Sequence, residues 1–232
     1  MEILQSNQIS PDQIIIWHWW FITVNATMLY TWLIMIILVG GSWLVTRRVS
    51  SDIRISRWQN FLESVVSILR DQIREVSQDE PGKYLAYIGT LFLFIGLSNL
   101  LTIVPGYVAP TASLTTTAAL AISVFFAVPL YGITKQGVLK YFKEYFQPTF
   151  VFFPFHIMGE VSRTLALAIR LFGNIMSHDK VIGILLAVTP LFFPIIMQAL
   201  GLLIGLVQAY IFAILAMVYI ASASQTHEQA HE

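Results

Sequence analysis

The sequence predicts an all-α protein that crosses a membrane several times. Of its 232 residues, 56% are hydrophobic and only 11% are charged, and the mean hydropathy is +0.72. This composition is typical of polytopic membrane proteins. Five apolar runs are long enough to cross a hydrocarbon core of about 30 Å, and one further segment has the periodicity of an amphipathic surface helix.

The charge balance and the cysteine content exclude several functional classes. Thirteen basic residues match thirteen acidic ones, so the chain has no net charge with which to attract a nucleic acid. The chain contains no cysteine, which excludes a disulfide framework and thiolate chemistry. His227 and His231 lie in a short polar tail without carboxylates arranged for a metal site, and we expect neither a metal nor a cofactor.

We expect one membrane domain, residues 1–232, with five spans and one surface helix. The last two helices should be long, tilted and paired as an antiparallel hairpin. The predicted segments are an outer N-terminal segment (1–26), a first span (27–46), a cytoplasmic surface helix (56–80), two further spans (84–104 and 114–146) and the two long helices (149–188 and 190–224).

Aromatic and basic residues at the ends of the spans predict their orientation. An aromatic belt precedes the first span, and basic residues follow the first and third spans, as is typical of the cytoplasmic side. The N-terminus is therefore expected outside and the C-terminus in the cytoplasm. The chain starts without a signal or transit pattern, which favours a bacterial inner membrane, with a thylakoid or similar organelle membrane as the alternative. The residues are Trp17, Trp19, Trp20 and Phe21 for the belt, and Arg47, Arg48, Arg54, Arg57, Lys135, Lys140 and Lys143 for the basic ends.

The segment from 56 to 80 is apolar on one helical face and charged on the other. A helix of this kind lies on a membrane surface or packs against a soluble partner. Because spans flank it on both sides, the membrane surface is favoured. Its apolar positions are Trp58, Phe61, Leu62, Val65, Leu69, Ile73 and Val76.

The two terminal helices are too long for an upright crossing. At 1.5 Å per residue they would measure about 60 Å and about 50 Å, against a core of about 30 Å. They must therefore tilt by more than the usual angle of about 20°, or break.

Arg170 lies within an apolar run, where a charge is costly. A guanidinium does not lose its proton at accessible pH, and insertion at a helix centre costs about 2.5–3.5 kcal/mol. The alternatives to a functional role are snorkelling to the interface and pairing with a structural carboxylate. The long apolar flanks argue against snorkelling, so Arg170 is the leading functional candidate.

Other polar residues of the same helix take defined positions around Arg170. At 100° per residue, Arg163 and Arg170 lie almost on one line, and Asn174 is one turn beyond. Asp179 turns to the opposite face, and Glu160 precedes Arg163 by one turn. Glu160 and Arg163 are also spaced for a simple ion pair, and Asp179 with Lys180 could merely mark the outer end of the span.

The hairpin predicts which residues of its two helices are level with each other. If residue 189 is the pivot, Arg170 is level with Gln208, whose amide oxygen could accept a hydrogen bond from the guanidinium. By the same count, Asp179 is level with Gly201 and Glu160 with Tyr219. His178 alone is a weak candidate, because a single histidine is as often a neutral neighbour as a proton relay.

Two motifs resemble subunit a of F-type ATP synthases. They are residues 163–174 (RTLALAIRLFGN) and 208–212 (QAYIF), and the arrangement of five spans and a surface helix is similar too. The resemblance implies a non-catalytic, ion-translocating subunit that works with a ring of c subunits, peripheral-stalk b subunits and the rest of the synthase. It implies that Arg170 faces the ring with Gln208 nearby, and that Asp179 serves the outer half-channel.

The sequence departs from that family at two positions. Many members have Glu in place of Asp179, and some have a histidine in place of Gly201. His178, on the other helix, could supply that imidazole.

The expected mechanism is that of the stator of a rotary motor. Ions would come from outside past Asp179 and His178 to a rotor carboxylate and leave near Glu160 and Tyr219, while Arg170 separates the two paths. Protons and sodium ions both fit this arrangement. A self-contained channel or transporter is the alternative from another class, but the inverted repeats typical of such folds are not evident.

Overall fold

The computed structural model describes residues 15–19, 22–47, 57–104, 106–145, 153–189 and 193–225. The predicted all-α class is confirmed, since five of the helices in this part of the chain are long and apolar enough to cross a membrane: α1, α3, α4, α6 and α7. The elements are β1 (Ile15–Trp19), β2 (Ile22–Asn25), α1 (Ala26–Arg47), α2 (Arg57–Ser77), α3 (Gly82–Leu100), α4 (Leu114–Gln136), α5 (Val138–Tyr145), α6 (Phe153–Val188) and α7 (Phe193–Gln225).

A short β-hairpin precedes α1, and the sequence analysis did not predict it. Strands β1 and β2 are antiparallel, with Ile15 opposite Asn25 and Trp19 opposite Ile22. The β-branched and aromatic residues of IIWHW and ITVN favour strands, and the aromatic-belt interpretation of this segment overlooked that preference. Residues 1–14, Trp20 and Phe21 lie outside the described residues.

The segment predicted as one span over 114–146 is two helices. Helix α4 ends at Gln136, and Gly137 has a φ of +84°, a conformation that glycine adopts without steric cost. Helix α5 then folds back, and Tyr141 packs against Gly132, where an added Cβ would lie 2.6 Å from the tyrosine ring. The single span is present, but it ends at Gln136 and not at 146, because the prediction ignored this glycine.

The two long helices do not break within their described lengths. Helix α6 has 36 residues and α7 has 33, about 54 Å and about 50 Å at 1.5 Å per residue. Residues 146–152 and 190–192, which include the predicted starts at 149 and 190, lie outside the described residues. Both helices are longer than a bilayer core is thick, which supports a strong tilt. The tilt itself stays a prediction.

Helix α2 packs against α3 and α7. Leu69 and Ile73 are buried and Val76 packs against the core, so the apolar face that the sequence predicted is the one that the bundle covers. The side chains of Trp58 and Phe61 lie outside the described part of the chain. Whether the helix also rests on a membrane surface stays a prediction.

The core is built around the second half of α7. Ala209, Phe212, Ala213, Ala216 and Met217 are all fully buried. Helices α3 and α4 pack closely on this stretch of α7, because small side chains let helix backbones approach each other. Helix α6 packs against α4 and, less extensively, against α7.

Candidate functional site

The side chain of Arg170 on α6 is exposed in this subunit. Leu167, Ala168 and Leu171 are buried, whereas Ile169 is 54% exposed and Arg170 is exposed as well. Among the residues that the structure describes, no hydrogen bond and no carboxylate partner holds Arg170. The alternative of a structural ion pair within the subunit therefore has no support in this part of the chain.

Gln208 is buried on α7, with 6% of its surface exposed. Its amide nitrogen, Nε2, has no hydrogen-bond partner among the described residues. No described hydrogen bond joins Gln208 to Arg170, so the expected contact between them stays a prediction.

Contacts at both ends of the hairpin give the relative level of α6 and α7. An added Cβ on Gly201 would overlap the imidazole ring of His178, so the two positions are in direct contact. Toward the other end, the guanidinium carbon of Arg163 lies 5.7 Å from the centre of the Tyr219 ring. These contacts agree within a few residues with a hairpin that pivots near residue 189.

A small cavity of about 20 Å³ lies where α3, α6 and α7 meet. A single water needs roughly 10–15 Å³ of such space, so the cavity can hold about one. It brings His178, Asp179 and Asn174 of α6 together, as the sequence predicted for the first two, and Nε2 of His178 is buried there without a described partner. The remaining lining residues are Asn99, Thr102, Ile175, Gly201, Ile204 and Gly205.

Asn99 of α3 belongs to this cavity and was missed by the sequence analysis. Its Nδ2 donates to the carbonyl oxygen of Gly205 at 2.8 Å, and its Oδ1 accepts from Thr111 at 3.1 Å. Gly205 permits this approach, since an added Cβ would lie 2.9 Å from the Cβ of Asn99. The available signal was an amide in an otherwise apolar predicted span, which is costly unless its hydrogen bonds are made.

A second polar cluster lies toward the start of α6. Nη1 of Arg163 is 3.6 Å from Oε1 of Glu160, and the same guanidinium lies over the ring of Tyr219. Glu160 and Tyr219, which the sequence placed at the inner exit, are thus both close to Arg163. The Arg163–Glu160 pair also fits the simpler interpretation of an ion pair between successive turns of a helix.

The predicted site residues therefore form two groups with Arg170 between them along α6. Asn174, His178 and Asp179 surround the cavity, whereas Glu160, Arg163 and Tyr219 form the opposite group. Fold and site define an α-helical polytopic membrane protein with ionisable residues inside its spans, a feature typical of proteins that move ions.

Comparison with known proteins identifies the family. Residues 28–221 match the family described as ATP synthase A chain. A relative named ATP synthase subunit a 2, from Acaryochloris marina, is 56% identical over 97% of this chain and 96% of its own length. ATP synthase subunit a 1 of Chlorobaculum parvum is 55% identical over 96% and 98%, and ATP synthase subunit a of Albidiferax ferrireducens is 56% identical over 94% of each.

The chain belongs to the ATP synthase A chain family. It is accordingly a membrane-embedded, ion-translocating component of an ATP synthase and not one of its catalytic subunits.

Proposed function

We propose that this chain is the stator subunit that passes ions to and from the carboxylates of a c-subunit ring. The observation that carries the proposal is Arg170, a permanent cation that is exposed beside apolar side chains and has no described partner in its own subunit. In a bilayer such a group is costly. A carboxylate brought by another subunit would offset that cost, and a c ring brings one carboxylate after another.

Two half-channels follow from the two polar groups. The outer one would run through the cavity past Asn174, His178 and Asp179, and the inner one past Glu160, Arg163 and Tyr219. Arg170 lies between them along α6 and repels any cation that would cross directly. It also favours the ionised form of a passing rotor carboxylate, because an opposite charge nearby stabilises that form.

The ring converts many small steps into one synthesis event. A membrane potential of 100 mV supplies about 2.3 kcal/mol for each elementary charge, so several ions must pass for each ATP. We propose further that b subunits of the peripheral stalk hold this subunit in place and that lipid covers its remaining apolar surface. The N-terminus would lie outside and the C-terminus in the cytoplasm, in a bacterial inner membrane.

Protons are the proposed coupling ion because an imidazole, an ordinary proton-transfer group, contacts the outer cavity. A sodium-translocating version would use the same stator arrangement, since the rotor carries the selecting site. Synthesis driven by a proton gradient in sodium-free vesicles distinguishes the two.

Replacement of Arg170 tests the proposal. Arg170→Ala should abolish coupled ATP synthesis in inverted vesicles, by at least about 100-fold, while the subunit stays in the membrane. Arg170→Lys should restore little, because lysine can lose its proton when desolvated and lacks the planar guanidinium. Arg74→Ala, which removes an exposed guanidinium of α2, is the control and should synthesise normally.

Near-normal synthesis by the Arg170→Ala variant would refute the stator role. Gln208→Leu belongs in the same series and should lower synthesis less than Arg170→Ala. It removes a polar neighbour of the site and leaves the charge in place.

A further inference from the structure

A hydrogen bond between α2 and α7 has no part in the two half-channels. The hydroxyl of Tyr210 donates to Oε1 of Gln72 at 2.8 Å, across 138 residues of sequence. Both side chains are half-buried. Gln72 is held firmly, because its neighbours Leu69 and Ile73 on α2 are buried in the bundle.

Tyr210 is at the depth of Arg170. It lies midway along α7 between Gly201 and Tyr219, whose partners on α6 are His178 and Arg163. Arg170 lies midway between those two partners. The hydrogen bond from Gln72 therefore reaches α7 at the level where the ion paths are separated.

Tyr210 and Gln208 point to opposite sides of α7. Two residues along a helix correspond to a rotation of 200°. A contact that holds Tyr210 against α2 consequently turns Gln208 away from α2 and into the bundle, where it is 6% exposed. The rotation of α7 about its own axis sets both side chains at once.

Apolar packing alone fixes such a rotation poorly in a membrane, because lipid tails are as apolar as leucine side chains. Of the other described hydrogen bonds to α7, those of Gln136 to Ala223 and of Gln198 to Thr102 lie nearer its ends, and Asn99 donates to Gly205 little more than one turn before Tyr210. The bond to Gln72 differs from that of Asn99 in holding a side chain of α7, Tyr210, on the side of the helix opposite Gln208.

We propose that Gln72 is a positioning residue for ion translocation: through Tyr210 it fixes the rotation of α7 and so the face of Gln208 that Arg170 meets. This inference rests on the proposed function. It makes the amphipathic helix α2 part of the coupling machinery, in addition to any role at the membrane surface.

The test compares pumping with hydrolysis in inverted vesicles that contain the whole synthase. The readout is the initial rate of ATP-driven acidification divided by the rate of ATP hydrolysis, with the amount of assembled subunit measured in each membrane. Tyr210→Phe removes the donor, and Gln72→Met removes the acceptor at similar size. Each should lower the ratio about threefold, the factor expected for one hydrogen bond between membrane helices.

Three further variants make the test specific. The double variant should be no worse than either single one, because both remove the same bond. Gln72→Glu keeps an acceptor oxygen and should restore most of the ratio. Tyr87→Phe removes a hydroxyl contact of the same kind, 3.1 Å from Ser123 between α3 and α4, and should leave the ratio unchanged.

An unchanged ratio in both single variants would overturn the proposal, as would additive losses in the double variant or an equal loss in Tyr87→Phe. Arg170→Ala, assayed in parallel, separates this outcome from failure of the proposed function. If that variant still pumps, the stator role fails; if it does not pump and the Gln72 series is silent, only the positioning role fails.

Discussion

The two helices of the terminal hairpin differ in how much of their surface the subunit itself covers. In the most apolar stretch of α7, 39% of the residues are buried, against 11% in α6. Helix α7 is also the more hydrophobic of the two, with a mean hydropathy of 2.3 in this stretch against 1.3 in α6. In a water-soluble protein, the more polar of two helices is the more exposed one because water solvates its polar side chains. In a bilayer an exposed helix that contains a guanidinium needs another protein surface to cover it.

Helix α6 contacts α7 in each of its two halves, whereas Arg170 near its middle is exposed. His178 contacts Gly201 in one half and Arg163 lies over Tyr219 in the other, while Arg170 between them is exposed. The comparison teaches that the two helices of the hairpin differ in role: α7 is packed within the subunit, whereas α6 leaves most of its surface uncovered by the subunit. Variants that act on one and spare the other test this division.

Apart from Arg170, the largest effect should come from Asp179, which lines the cavity on α6. Asp179→Asn keeps the shape of the side chain but cannot carry a proton, so coupled synthesis should fall by about 100-fold, the lower end of the range for general acid–base contributions. Asp179→Glu keeps the acid and lengthens the arm by one methylene, so it should synthesise at a rate near that of the wild type. Synthesis in inverted vesicles measures both.

The side from which water reaches Asp179 can be read by chemical labelling. A cysteine at position 179 is clean to label because the chain has no native cysteine. A charged thiol reagent should reach it from the outer face. Reaction only from the cytoplasmic side would mean that Asp179 does not belong to the outer half-channel.

Much of the fold followed from sequence because lipid restricts the choices. Backbone polar groups must be satisfied within each span, so long apolar runs could only be helices, and the permanent charge of Arg170 pointed to the site without any structure. The relative level of α6 and α7 also followed, from one pivot and the regular rise of a helix. Local signals sufficed for these features.

Features that depend on contacts between distant segments could not be predicted. Asn99 enters the cavity only because Gly205, more than a hundred residues later, lets α3 approach α7. Gln72 reads as one more polar residue of an amphipathic helix until Tyr210 is placed opposite it. The break at Gly137 had a local signal, but the buried contact of Tyr141 with Gly132 that holds α5 back did not.

An alanine on each helix provides the next test. Ala213 of α7 is fully buried and Ala166 of α6 is exposed, one turn before Arg170. Ala213→Leu overpacks the core and should destabilise the subunit by about 1–3 kcal/mol, seen as a lower unfolding temperature of the detergent-solubilised complex. Ala166→Leu should leave that temperature unchanged but reduce synthesis, because it adds bulk to the surface that meets the rotor in the proposed function.

The division between the helices would be wrong if the two alanine variants behaved alike. Equal losses of thermal stability would mean that α6 is packed within the subunit as tightly as α7. Normal synthesis by Ala166→Leu would mean that the face around Arg170 is not covered by the ring.

The smallest effect is expected outside the hairpin, at the connection between α2 and α3. The N–H of Glu80 donates to Oδ1 of Asp79 at 2.8 Å, and Lys135 lies 3.1 Å from Oδ2; these contacts lower the pKa of Asp79 below its ordinary value. A lowered pKa stabilises the folded state above the unfolded pKa, about 3.9, and this contribution is lost as the pH falls through the folded value.

Asp79→Asn keeps an acceptor for Glu80 but removes the ion pair, so at pH 7 it should cost less than about 1 kcal/mol. The difference in unfolding temperature from the wild type should shrink below about pH 4. A difference for Asp79→Asn that persists undiminished in acid would show that the variant acts through packing and not through charge.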